Sequence, residues 1–312
     1  MSRLLERDRS RRFVVPDRPW AGRLWAAVAA LAFACFVIPL REITLTLTPF
    51  HAFFMVNFLA FLMSLPFIAT LHSFNHLKTA YLKLHVRRAA LLIAGWIFWL
   101  SAMPAFTLMG MTAVLVLVPI LAAALGWWRQ RQDGELTPAR LQWLGVALVG
   151  AMLAQAYTGL RLAEGSLWLP LWPLGAAVCW AGALAMRHQL EKMDSIGTIH
   201  FYQIVLPLPM MAPLALLEWR WLAGEPLVWL TLAAFFYILW QFASAKAEGA
   251  VADTPRLLVD LTRLPLVGLG ALLVWGEAPG SALGLLGIVL MVVALVMVSW
   301  PLSKPASGSA AE

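Results

Sequence analysis

Two related apolar runs decide the fold of this chain: VLVPILAAALGWW at residues 116–128 and TRLPLVGLGALLVW at residues 262–275. Each run contains one proline, and Pro119 and Pro265 are 146 positions apart (265 − 119). A second pair of runs agrees within one residue, because LWAAVAALAFACF from Leu24 resembles LWPLGAAVCWAGA from Leu171, an offset of 147 (171 − 24). These spacings predict a chain built from two similar halves.

The composition indicates a membrane protein, because 62% of the residues are hydrophobic and 12% are charged, whereas soluble domains carry about 25% charged residues. Uniformly apolar runs of about 20 residues recur along the chain, long enough to cross a ~30 Å hydrocarbon layer as helices. The fold class predicted is an all-α polytopic membrane protein with ten transmembrane helices. The ten predicted spans are residues 21–40, 50–71, 89–106, 109–128, 140–157, 169–187, 199–219, 225–245, 255–275 and 281–300.

Five spans in each half is an odd number, so the second half enters the membrane from the opposite side. The sequence therefore predicts two inverted five-helix repeats, an arrangement typical of secondary transporters. The predicted segments are a cytoplasmic Arg-rich tail (1–20), repeat 1 with helices 1–5 (21–160), repeat 2 with helices 6–10 (169–301) and a cytoplasmic tail (302–312).

The distribution of positive charge argues against a nucleic-acid partner, although the formal net charge is +7. With the N-terminus inside, 19 of the 23 Lys and Arg residues fall in predicted cytoplasmic segments, as the positive-inside rule requires. We expect both termini in the cytoplasm and location in a bacterial inner (plasma) membrane. The Arg-rich tail is expected to contact anionic membrane lipids, and no cleavable secretion signal is visible.

Two long segments resemble a known family. Residues 95–153 (GWIFWLSAMPAFTLMGMTAVLVLVPILAAALGWWRQRQDGELTPARLQWLGVALVGAML) look like the second part of an EamA domain of the drug/metabolite transporter superfamily. Residues 242–295 repeat that design, with Gly276-Glu277 matching Gly134-Glu135. The resemblance implies a ten-helix carrier whose central cavity binds small metabolites, such as amino acids or related amphipathic solutes, and frequently exports them. It also implies an arginine early in the second helix, where this chain has Asn57.

Asp260 and Arg263 are the most informative polar residues, because they fall inside the ninth predicted span. A charge at mid-span costs about 2.5–3.5 kcal/mol even on the lenient insertion scale. Their i, i+3 spacing places both on one helical face, where they can pair. Two readings stay open: a buried ion pair that fixes packing, and a site for a charged substrate or a coupling proton.

Other candidate residues are polar or aromatic side chains within the spans. Asn57 and Gln203 are again 146 apart (203 − 57) and could offer amides to a substrate, or act as hydrogen-bonding glue between helices. Pro119 and Pro265 each remove a helical hydrogen bond and serve either as helix breaks lining a cavity or as packing kinks. The remaining candidate substrate-binding residues are Trp99, Tyr237 and Gln241.

Several function classes find no support in the sequence. His72 and His76 have metal-like spacing without a third ligand close by, so no metal is expected. No phosphate-binding loop occurs, and no convergent set of catalytic groups is visible, so we expect neither a cofactor nor enzymatic activity. The sequence predicts a secondary transporter of a small metabolite by alternating access, and the family resemblance implies that it is an exporter. The alternatives are a lipid or lipid-carrier flippase and a non-transporting membrane subunit, and a homodimer stays open.

Overall fold

The computed structural model describes residues 19–70, 77–129, 142, 143, 145–150, 153, 171–250, 254–277 and 282–299. Every regular element within these residues is helical. Among the described residues, five helical stretches are long and apolar enough to cross a membrane: Leu24–Thr44, Pro49–Pro66, Leu82–Ala105, Ile196–Leu217 and Glu225–Ala247. Exposed leucines and valines, such as Leu273 and Val289, are suited to contact lipid rather than water. The protein is an integral membrane protein whose described part is entirely helical in its regular elements.

The helices follow one another in the order that the apolar runs predict. They are α1 (Pro19–Thr44), α2 (Pro49–Thr70), α3 (Leu82–Ala102), α4 (Leu108–Ala113), α5 (Leu117–Arg129), α6 (Leu171–Leu190), α7 (Ile196–Val205), α8 (Pro207–Leu217), α9 (Glu225–Ala250), α10 (Thr254–Trp275) and α11 (Ala282–Ser299). Short 3-10 helices at Met103–Ala105 and Val114–Val116 follow α3 and α4.

The third predicted span, residues 89–106, begins later than the helix that contains it. Helix α3 begins at Leu82 and includes Lys83, Arg87 and Arg88. Hydropathy averages all faces of a helix and so underrates a turn that carries charge on one face. Lys83 and Arg87 are exposed on α3, whereas Arg88 is buried.

Two other predicted spans are interrupted. The seventh, residues 199–219, consists of α7 and α8 separated by a turn at Leu206. Pro207 opens α8, where a missing amide hydrogen is tolerated. The fourth, residues 109–128, consists of α4, a 3-10 turn and α5. Pro119 follows that turn, whereas Pro265 lies inside the continuous helix α10.

Helices from the two halves of the chain pack against each other. The most extensive contacts join α1 to α9 and α3 to α6, followed by α1 to α10 and α5 to α6. The interior between them is apolar and aromatic, with Phe36, Trp99 and Leu100 almost completely buried. Because each pair joins one helix before residue 160 to one after it, the core belongs to both halves together.

Several predictions fall outside the described residues. They are the two tails, most of the fifth span and the His72 and His76 pair. Gly150, from the described part of the fifth span, approaches α11 so closely that an added Cβ would lie 2.7 Å from the Gly287 carbonyl oxygen. The small residues on α11 therefore serve packing within the chain at this point.

Candidate functional site

An aromatic cluster occupies the centre of the bundle, at the junction of α1, α3, α6 and α9. We define it by seven residues: Phe33, Phe36, Trp96, Trp99, Trp180, Tyr237 and Trp240. The Trp96 ring lies 5.7 Å from Phe36 and 5.1 Å from Trp180, both edge to face. Phe36 stacks on Trp240 with ring centroids 6.0 Å apart and planes at 15°. Such distances and angles are favourable for aromatic pairs, so the cluster is one connected surface of rings.

Gly95 makes room for this cluster on α3. A Cβ at this position would lie 2.5 Å from Nε1 of Trp180, a distance that no real Cβ contact tolerates. The missing side chain lets α6 bring its indole against α3. Glycine is thus required here by close approach rather than by backbone conformation.

A chain of hydrogen bonds lies beside the rings, and we call it the polar network: Arg88, His200, Gln203, Tyr237 and Gln241. Arg88 donates to the Gln203 side-chain oxygen and, through Nη1 at 3.3 Å, to the backbone oxygen of Ile199. The Tyr237 hydroxyl lies close to the side chains of both Gln203 and Gln241. Nδ1 of His200 lies 3.1 Å from Oε1 of Gln241. The polar network therefore joins α3, α7 and α9, and Tyr237 belongs to both groups.

Some buried polar atoms next to the rings have no hydrogen-bond partner in the part of the chain that the structure describes. They are Nε of Arg88, Nε2 of Gln241 and Nε1 of Trp240, and Oδ1 of Asn57 on α2 is likewise unsatisfied within the described residues. Leaving a buried polar group unsatisfied costs about 1–3 kcal/mol. Such groups in the interior of a membrane protein are suited to bind a solute.

Arg263, predicted from its mid-span position, reaches the aromatic cluster. Its guanidinium carbon lies 5.1 Å from the Phe33 ring centroid and 5.6 Å from that of Trp240. Cation-π contacts of this kind hold a charge among rings. Asp260 lies on α10, but its side chain is outside the described residues, so its pairing with Arg263 stays a prediction.

The other predicted residues divide into two groups. Tyr237, Gln203 and Gln241 meet in the polar network. Trp99 is fully buried and donates Nε1–H to the Met111 carbonyl oxygen at 3.2 Å, so its ring face is what it offers to the cluster. Asn57 is fully buried on α2 and donates Nδ2–H to the Phe53 carbonyl oxygen of its own helix at 2.8 Å.

Arg88 and His200 are the network residues that the sequence did not single out as site candidates. The third predicted span begins at residue 89, which leaves Arg88 in the charged segment before it. One signal was present: on a helix, Arg88 shares a face with apolar Leu84 and Leu91 at spacings of four and three residues. In the structure this face is buried at Arg88 and half-buried at Leu84 and Leu91.

Polar contacts also close the two ends of the bundle. At the end we call the Arg41 end, Arg41 forms an ion pair with Glu277, and Glu277 also accepts from the Leu108 amide at 3.1 Å. Trp275 donates Nε1–H to Glu42 at 2.5 Å. This end joins α1 to the residues that follow α10.

The opposite end, the His85 end, joins the start of α3 to the turn between α6 and α7. Asp194 Oδ2 accepts from the Thr79 hydroxyl at 2.6 Å and lies 2.8 Å from Nε2 of His85. The Tyr202 ring packs on His85 with centroids 4.6 Å apart. At both ends, polar contacts therefore hold the two halves of the chain together.

Comparison with known proteins points to transport. No protein-family model matches the chain. A riboflavin transporter of Vibrio cholerae is 29% identical over 300 residues, covering 93% of this chain and 97% of that protein. A riboflavin transporter of Rhizobium johnstonii is 28% identical over 280 residues, covering 87% and 89%. One of Brucella anthropi is 27% identical over 219 residues, covering 65% and 72%.

A solved structure, titled only as the crystal structure of a protein, shares the fold. Its TM-score is 0.58 at 18% identity, with 89% of this chain and 96% of that chain covered. At this identity the likeness concerns the fold alone. The three relatives are named transporters and not enzymes, in agreement with the sequence-based expectation, and they support a membrane transporter of a small metabolite.

Proposed function

We propose that the chain is a secondary active transporter of riboflavin or a closely similar planar heteroaromatic metabolite. The observation that carries this proposal is the aromatic cluster, which draws rings from both halves of the chain and has unsatisfied buried polar groups beside it. A stacking surface with a few placed polar groups is the usual composition of a small-molecule site.

The chemistry of a flavin fits such a surface. Its three fused rings are flat, and indole and phenyl faces bind flat rings by stacking at centroid distances of about 4.5–7 Å. The names of the three relatives supply the substrate. In this proposal the rings of Phe36, Trp96 and Trp240 separate from one another to admit the flavin between them.

The helix packing supports the inverted-repeat mechanism. In the predicted repeats, α1 corresponds to α6, α3 to α9 and the α4–α5 segment to α10. The contact of α1 with α9 then has its counterpart in that of α6 with α3, and the contact of α10 with α1 in that of α5 with α6. We propose that repeats 21–160 and 169–301 rock about the aromatic cluster, exposing it to each side of the membrane in turn.

The orientation in this proposal follows the positive-inside rule. Both termini are then cytoplasmic in a bacterial inner membrane, the His85 end faces the cytoplasm and the Arg41 end faces the periplasm. Export, which the EamA resemblance implies, stays a prediction, as do the coupling proton and the homodimer.

The test is transport of radiolabelled riboflavin by the purified full chain in proteoliposomes, with and without a proton gradient. We expect saturable flux that excess unlabelled riboflavin abolishes. Trp96→Ala should lower that flux at least tenfold, whereas Leu273→Ala, at a highly exposed position of α10, should leave it unchanged. Absence of flux under every gradient would contradict the proposal. Comparing uptake into bacteria with efflux from preloaded cells gives the direction.

A further inference from the structure

We propose that Arg88 determines substrate specificity, by binding the carbonyl-bearing edge of the substrate's ring system with the help of Gln241. This inference rests on the proposed flavin transport. Beyond that proposal, it names the part of the substrate that the site recognises and the residue that binds this part.

Arg88 is a buried cation within a membrane-spanning helix. It is 3% exposed and lies six residues after the start of α3, about 9 Å along the axis. Charges at such positions are costly and commonly mark substrate pathways. Its hydrogen-bond partners, the Gln203 side chain and the Ile199 carbonyl, are both neutral.

No ion pair between described residues neutralises Arg88. Arg187 and Glu191 act on it electrostatically, but they pair with each other at 3.0 Å and their opposite charges offset. The guanidinium is therefore a net positive centre held in place by neutral acceptors. An electron-rich ligand group would stabilise it.

The unsatisfied groups near the polar network and the rings are mainly donors. Arg88 Nε–H, Gln241 Nε2–H and Trp240 Nε1–H have no partner in the described part of the chain. Because Oε1 of Gln241 is engaged by His200, the amide presents its nitrogen as the free end. Hydrogen-bond donors beside a positive charge favour the edge of a ligand that carries hydrogen-bond acceptors.

The pyrimidine ring of a flavin presents such an edge. It carries two carbonyl oxygens and an unprotonated ring nitrogen beside one N–H, whereas the sugar-alcohol side chain offers hydroxyls that donate and accept equally. Arginine forms bidentate bonds to adjacent acceptors on one plane. The geometry therefore assigns the ring edge, and not the side chain, to Arg88.

Binding of two flavins to the purified full chain in detergent tests this assignment. Riboflavin and lumiflavin share the isoalloxazine ring edge, but lumiflavin carries a methyl group in place of the sugar-alcohol chain. Flavin fluorescence, which neighbouring tryptophans quench, measures both dissociation constants. We expect Arg88→Gln to weaken both ligands by about tenfold or more, since it removes a charge-assisted hydrogen bond. Arg87→Gln, at the exposed neighbouring position, is the matched control and should change neither.

Gln203→Glu is the second variant, because it keeps a side chain of the same shape that accepts from Arg88 and adds a counter-charge. It should weaken both flavins while the unfolding midpoint stays unchanged or rises. If Arg88→Gln fails to fold, this variant decides alone.

The outcomes separate the inference from the proposed function. Tight binding of both flavins by every variant would overturn the role of Arg88 and leave flavin transport intact. Weakening of riboflavin alone would overturn it too, because the arginine would then contact the side chain. A native protein that binds neither flavin would contradict the proposed function itself.

Discussion

The two ends of the bundle are closed by different chemistry. At the Arg41 end, an arginine and a glutamate with side chains 17% exposed form an ion pair. At the His85 end, the His85 side chain is fully buried and Asp194 is 9% exposed. Both ends connect the two halves of the chain, since Arg41 and Glu277 are 236 residues apart and His85 and Asp194 are 109 apart.

The difference predicts which end opens more readily. An ion pair that water still reaches contributes about 0–1 kcal/mol, because water competes with both partners. Removing one partner of a buried polar pair costs several kcal/mol, because the other is left unsatisfied in the interior. We therefore expect the Arg41 end to open first.

The largest effect should come from Asp194→Ala. The change leaves the Thr79 hydroxyl and the His85 ring without their acceptor, and we expect the free energy of unfolding to fall by about 3 kcal/mol. Denaturant unfolding in detergent, followed by tryptophan fluorescence, measures it. Lys192→Ala, two residues away and exposed, is the control. Equal losses for both variants would show that the buried contacts contribute nothing.

Glu277→Gln should have a smaller effect. It removes the charge that pairs with Arg41 but keeps an oxygen for the Leu108 amide, so we expect a loss of about 1 kcal/mol. A double-mutant cycle with Arg41→Gln isolates the pair. A loss exceeding that of Asp194→Ala would reverse the ranking of the two ends.

The same variant should raise access to the interior. A cysteine placed at buried Phe106, near Leu108, should react faster with a water-soluble maleimide when Glu277 is changed to Gln. Cys35 and Cys179 must first be replaced. An unchanged rate would show that the ion pair does not hold this end closed.

The smallest effect should come from Trp275→Phe. This change removes the Nε1–H that donates to Glu42 but keeps an aromatic ring beneath Arg41, whose guanidinium lies 5.0 Å from the indole centroid. We expect a loss of about 0.5 kcal/mol, because Glu42 is only half-buried and water can replace the indole donor, and unfolding by denaturant measures it. A loss as large as that of Glu277→Gln would assign the strength of this end to the indole hydrogen bond instead of the ion pair.

Much of the fold could be predicted because hydropathy reports burial in lipid directly. The helical class and the approximate positions of α1, α2 and α9 follow from uninterrupted apolar runs. The start of α3 could not be predicted in this way, because the mean hydropathy of a helix with charged residues on one face is as low as that of a loop. The turn at Leu206 could not be predicted either, since a proline in a membrane helix is compatible with both a kink and an interruption.

The candidate site was predictable only in part. Arg263 stood out because charge is rare inside a span, and Gln203 and Tyr237 are polar residues in apolar runs. The partnership of Arg88 with Gln203 spans 115 residues, and one sequence holds no signal for a contact at that distance. The contact of Asp194 with His85 could not be predicted for the same reason, because in the sequence Asp194 is an ordinary turn residue.

Gly95 has a consequence for the way in which related sequences can differ. The Trp180 indole leaves no space for a side chain at position 95, so positions 95 and 180 should covary. Relatives with tryptophan at the position of Trp180 should have glycine at the position of Gly95. Where the indole gives way to a smaller side chain, alanine or serine becomes permissible on α3. An exchange at one position alone would have to pass through an overpacked intermediate, and this should slow the divergence of both.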